Sequence, residues 1–180
     1  MVRADQQLRA RMSVDALADT ALLRRMLQLD SLHTERLRGI VEAHGWPGKS
    51  TYGVDAAQAA FLIVQHSPSH AFQKEMLALL RAAVAAGEAK SSDAAMLTDR
   101  VRSHEGRPQL YGTQFSIREG RLVPHPIEDP ARLDERRARV GLAPMAEYVA
   151  QLRETYRGPV EFDTASARPD STGIARAREP

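Results

Sequence analysis

Histidine is the side chain whose ordinary pKa lets it trade protons near neutral pH. This chain carries six: His33, His44, His66, His70, His104 and His125. Two of them, His44 and His66, fall where the sequence ends a helix. There the negative end of the backbone dipole favours an imidazolium, by a few tenths to about 1 kcal/mol. Capping the last carbonyls is the plain role for either one. His66 also follows Gln65 at the end of the most apolar stretch of the chain, and a buried Gln–His pair must find partners, one of which can be a ligand. Asp99 and Arg100 close a later helix. They could act as an ion pair, as a cap, or, for Asp99, as the group that orients a catalytic imidazole. The densest polar segment is Gly106-Arg107-Pro108-Gln109-Leu110-Tyr111-Gly112-Thr113-Gln114-Phe115. Read as a strand, it puts Gln109, Tyr111 and Thr113 on one face and Leu110 and Gly112 on the other. Gln114 joins the second face unless a bulge at Gly112 intervenes. Such a segment is either a solvent-facing hairpin or a pocket wall of neutral hydrogen-bonding groups. Gln73, beside Phe72, faces the same cavity or water.

Metal chemistry finds little support. His66 and His70 are four residues apart, a spacing that suits two ligands on one helix face, but Ser67-Pro68 breaks the helix between them. A set of His44, His66 and Asp99 has the two-His, one-carboxylate composition, yet nothing in the sequence brings the three together. With no Cys, thiolate chemistry, disulfides, iron–sulfur clusters and Cys-based zinc sites are excluded. No metal and no cofactor is expected.

The elements that must position these residues are mostly helical. Ser13 can cap a helix through Leu17, Ala21, Leu22 and on to about Leu29, and Leu32, Leu37, Ile40 and Val41 continue an apolar stripe. His44-Gly45-Trp46-Pro47 stops it. The loop 48–53 has a Lys-Ser pair but lacks the full glycine spacing of a phosphate-binding loop. Asp55 opens a helix that is apolar on nearly every side and therefore central. Ser67-Pro68 supplies an N-cap and first-turn proline for the next, whose inward stripe is Phe72, Met76, Leu79, Leu80 and Ala83, with Gly87 at its end. Ser91 or Ser92 caps a fifth segment bearing Ala95, Met96, Leu97 and Val101. A β-hairpin follows, with a turn at 118–121, and then helices over 130–140 and 144–156 separated by Gly141. The expected fold is mainly α: a compact bundle of about five to seven helices with one small β-hairpin after the fifth helix. It forms a single domain over 1–160 with the hairpin near 109–124, and a disordered tail over 161–180.

The 180 residues are 43% hydrophobic and 27% charged, enough apolar material for a core with Ala, Leu and Val filling most of it. No apolar run approaches the roughly 18–20 residues that cross a bilayer. The opening MVRADQQLRARM has no apolar stretch behind its arginines, so a cytoplasmic chain without a secretory signal is expected. Only Lys49, Lys74 and Lys90 are lysines among 25 basic residues, set against 23 acids. The densest basic run, 131–139, holds Asp134 and Glu135, the pattern of a salt-bridged helix face. No basic stripe is interleaved with aromatics, which argues against nucleic acid as a partner.

Several of these stretches, taken together, resemble a bacterial family catalogued only as domain of unknown function 6624. They are His44-Gly45-Trp46-Pro47, Val64-Gln65-His66, Phe72-Gln73, Leu97-Thr98-Asp99-Arg100 and the segment 106–115. The resemblance continues through 126–130, Arg136-Arg137 and Val140-Gly141-Leu142, and covers roughly residues 15–155. It implies that these polar positions belong to a shared pattern and transfers no activity. Two readings follow from the residues. In the first, the chain is an enzyme acting on a small polar molecule by acid–base chemistry. His66 is then the base or acid, His44 or Asp99 its partner, and Gln65, Gln73, Arg100, Gln109, Tyr111, Thr113 and Gln114 bind substrate. Hydrolase, lyase, isomerase and cyclase chemistry all fit. In the second, the same groups form a non-catalytic module for a small molecule or a protein.

Overall fold

The computed structural model describes residues 20–118, 121–156 and 159–160. Seven α-helices lie among them, with one two-stranded hairpin after the fifth. Helix α1 is Thr20–His44, α2 Lys49–Tyr52, α3 Val54–His66, α4 His70–Ala85 and α5 Ser91–His104. Strands β1 (Phe115–Arg118) and β2 (Arg121–Pro124) pair antiparallel, Phe115 opposite Pro124 and Ile117 opposite Leu122. A 3₁₀ turn, Pro130–Arg132, leads into α6 (Leu133–Arg139), and α7 is Met145–Tyr156. No described helix is long and apolar enough to cross a membrane. The cap expected at Ser13 and the tail beyond residue 160 lie outside the described residues.

Local chemistry explains most element ends and corrects some of the expected ones. Helix α1 stops at Gly45, whose φ of 73° is left-handed and whose N–H returns to the Val41 carbonyl at 2.8 Å. The expected loop at 48–53 contains a helical turn, α2, because the Lys49 N–H reaches the Glu88 carbonyl and the Ser50 N–H the Glu88 carboxylate. Helix α4 starts at His70, two residues later than the Ser67-Pro68 signal suggested. Ser69 is its cap, accepting from the Phe72 N–H at 3.3 Å. Leu79 and Leu32, expected inward, are exposed, and Leu77 fills the stripe on α4 instead. Neither Ser91 nor Ser92 caps α5, which begins at Ser91 after Lys90.

Two separate apolar cores result. The larger joins α1, α3, α4 and α5 through Leu37, Val41, Phe61, Val64, Phe72 and Leu97. The smaller joins the hairpin, α6 and α7 through Leu122, Ile127, Leu133, Met145 and Val149. Between them runs the segment 106–114. It is not a strand, as the alternation of Gln109, Tyr111 and Thr113 suggested, but an irregular loop. Only Gln109 makes a bridge, to Ile127. Gly112 is needed in this loop twice over. Its φ is 67°, and a Cβ there would meet Ile127 Cδ1 at 3.2 Å and Met145 Sδ at 3.3 Å. Gly112→Ala is expected to lose about 2 kcal/mol of unfolding free energy, through strain at positive φ and crowding of the smaller core. Urea unfolding measures it, and a variant as stable as wild type would refute the packing argument.

Candidate functional site

Asp99 organises the loop. It sits within α5, buried, and its carboxylate accepts from four donors across the polar seam. The Leu110 N–H reaches Oδ1 at 2.6 Å, the Tyr111 N–H reaches both oxygens at 3.1 Å, and the Thr113 N–H and hydroxyl reach Oδ2 at 3.1 and 3.0 Å. The direction of the last bond is fixed, because Gln114 Nε2 donates to Thr113 Oγ1 at 2.9 Å. Burial pushes the Asp99 carboxyl above its ordinary pKa, and these donors pull it back. Every partner is a donor, so the loop is built around the ionised form.

The glutamines turn inward as well. Gln109 is fully buried and donates both amide protons to the carbonyls of Gln114 (3.1 Å) and His125 (2.8 Å). Its oxygen accepts from the Gln114 N–H at 2.9 Å. Gln73, also fully buried, donates to the carbonyls of Val64, Gln65 and Ser67 and so caps the end of α3. Arg136 and Arg137 complete the seam. The Arg136 guanidinium donates to the Leu110 and Asp129 carbonyls. Arg137, 1% exposed, donates to those of Tyr111 and Ala143 and lies over the Tyr148 ring. The expected pocket wall of Gln109, Thr113 and Gln114 is therefore the inside of a hydrogen-bonded knot. The Tyr111 side chain faces instead a groove against α4 and α5.

The residue after Asp99 points to chemistry. With its amide oxygen turned toward Arg100, buried Gln65 accepts from Nε at 2.8 Å and from Nη2 at 3.2 Å. This joins the last turn of α3 to α5, one residue before half-buried His66. The charge of Arg100 reaches His104 and His125, and Tyr148 as well. His104 stacks on His70 with ring centroids 3.5 Å apart. Burial first, and then neighbouring positive charge, lowers both pKa values: His70, Arg100 and His125 act on His104, and Arg118 and Arg100 on His125. The C-terminus of α3, the N-terminus of α4, the C-terminus of α5 and the end of β2 thus bring an arginine and several imidazoles to one end of the bundle.

His44 is not among them. It is exposed at the end of α1, close to the turn that Glu88 holds and the start of α3, where Lys90 Nζ donates to Gln58. Helix α3, 13 residues and about 20 Å long, separates it from His66. The His66–His44 pairing and the His44, His66, Asp99 metal set therefore do not assemble. Among the described residues no cluster of three or more His, Cys, Asp or Glu could hold a metal. His104 and His125 went unselected in the sequence. His104 had a readable signal, four residues after Arg100 on one helix face, whereas His125 reaches the site only through the hairpin.

The model of a family of unknown function matches residues 1–161. The chain belongs to this family, DUF6624. No curated protein and no solved structure matches it. What this DUF6624 chain does therefore rests on the geometry above.

The imidazoles give a stability test. A histidine whose folded pKa lies below its unfolded value stabilises the fold in its neutral form. As pH falls through the ordinary value of 6.5 the unfolded chain takes up protons first, and that stability is lost progressively down to the folded value. The urea midpoint is expected to fall between pH 7.5 and 5.5, and to fall less in His104→Asn. Equal slopes in the two proteins would contradict the assignment.

Proposed function

We propose that the chain is an enzyme that acts on a small anionic molecule by imidazole acid–base chemistry. The observation that carries this reading is that Arg100, braced by Gln65 of α3, shares a face of α5 with His104 and acts with its charge on His125 beyond the end of β2. Arg100 holds the negative group of the substrate. His125, kept neutral by burial and by the charges of Arg118 and Arg100, takes a proton. His66, next to Gln65 on the last turn of α3, gives one. Hydrolysis, elimination, isomerisation and cyclisation all run on such a pair. The absence of Cys fits a cytoplasmic setting. Asp99 shapes the site without touching substrate, since its oxygens serve the loop.

A non-catalytic binding module is the second reading. It is favoured by the inward-turned glutamines, which leave fewer neutral donors for a developing oxyanion. The two are separated by incubating the protein with a mixture of small carboxylates and phosphate esters and following each compound by mass spectrometry. The enzyme reading expects wild type to consume an acid-bearing compound and Arg100→Gln to do so with a raised KM. Binding without any turnover across the mixture would sink it in favour of the module.

A further inference from the structure

Helices α4 and α5 also form the floor of a groove that starts beside the stacked His70 and His104 rings and runs along the helices away from them. Its main chamber has a volume of about 470 Å³, the size of a small-molecule site. A second lobe of about 240 Å³ shares Arg81, Thr98 and Leu110 with it, and a third of about 190 Å³ shares Lys74, Val101 and Glu105. The three lobes adjoin one another along α4 from His70 to Val84, about 20 Å. The floor is apolar, with Leu77, Ala78, Val101 and Leu110 in the main chamber.

The charges along it do not cancel. Arg102 is matched by Glu128 and the Pro108 carbonyl. Lys74 and Arg107 share a single carboxylate, Glu105, at 2.7 and 3.2 Å. Arg81 has a hydroxyl for a partner: Nη2 donates to Thr98 Oγ1 at 3.1 Å, and that hydroxyl donates to the Ala94 carbonyl at 2.6 Å. This chain of bonds fixes the guanidinium on the wall between two lobes, with its remaining donors available. We propose that the groove binds an organic anion with an apolar body, the body lying on Leu77, Val101 and Leu110 and the negative group on Arg81, supported by Lys74 and Arg107. An apolar floor beneath excess positive charge is complementary to such a molecule and to neither a neutral nor a cationic one.

The probe is 1-naphthyl phosphate, with 1-naphthol as the same body without charge, each titrated calorimetrically into the full chain. The phosphate is expected to bind at least about tenfold more tightly than naphthol and to weaken by about tenfold in Arg81→Gln. Arg107→Gln, at a second exposed position, is expected to weaken it in the same direction. Arg38→Gln, on α1 against Glu75, and Arg100→Gln are expected to leave it unchanged. No binding, equal affinity for naphthol, or affinity indifferent to Arg81→Gln overturns the proposal. So does binding lost in Arg100→Gln and kept in Arg81→Gln, which would place the phosphate at the imidazole site.

Discussion

Asp99→Ala is expected to lose about 4 kcal/mol of unfolding free energy. The figure follows from leaving three backbone N–H groups without their acceptor in a buried seam, at roughly 1–3 kcal/mol each, less what relaxation and water entry recover. The donors are those of Leu110, Tyr111 and Thr113. Asp99→Asn keeps the shape and one oxygen. Its amide, turned toward Thr113, opposes an N–H with another N–H, and a loss of about 2–3 kcal/mol is expected. Urea unfolding followed by far-ultraviolet circular dichroism reads both. Variants within about 1 kcal/mol of wild type would show that the loop holds its shape without the carboxylate, and the knot would have to be abandoned as the site's scaffold.

His125→Gln and His66→Gln are each expected to lower kcat by between about a hundredfold and ten-thousandfold, the range for removing a general acid or base. Glutamine keeps hydrogen-bonding capacity and roughly the size of imidazole, so binding survives and KM changes little. Arg100→Gln is expected to act the other way, chiefly on KM, because it removes the anchor for the negative group. The His125 backbone is held by Gln109 and Gln114, through bonds of 2.8 and 3.0 Å that the substitution leaves in place, so the fold is expected to persist. If both histidine variants, shown folded, turn substrate over at the wild-type rate, acid–base catalysis by these imidazoles is wrong.

Helix content was legible because its signals are local. The Gly45-Trp46-Pro47 stop, the run of alanines before Phe61 and the stripe Phe72, Met76, Leu80 each depend on neighbours within one or two turns. The hairpin was legible in its turn and its return strand. What misled was the polar alternation at 109–114. Period-two polarity looks the same whether a strand presents those groups to water or a loop wraps them around a buried charge, and the charge, Asp99, is ten or more residues away. The same distance hid the site. Arg100 and His104 share a helix face and could be paired by spacing, but Gln65 and His125 reach them only through tertiary contacts. His44 failed for the converse reason: a helix end attracts an imidazole by its dipole wherever that end happens to lie.

The seam between the two cores has a geometric consequence. Oily surfaces can slide and rotate against one another at little cost, whereas hydrogen bonds weaken steeply when bent. The mutual orientation of the two halves is therefore keyed by the bonds radiating from Asp99, Gln109 and Arg137. Arg100 stands directly beside one of these pins and His125 is gripped by another. Apolar contacts carry little directional information, so the placement of the guanidinium relative to the imidazole is set by these pins rather than by either core.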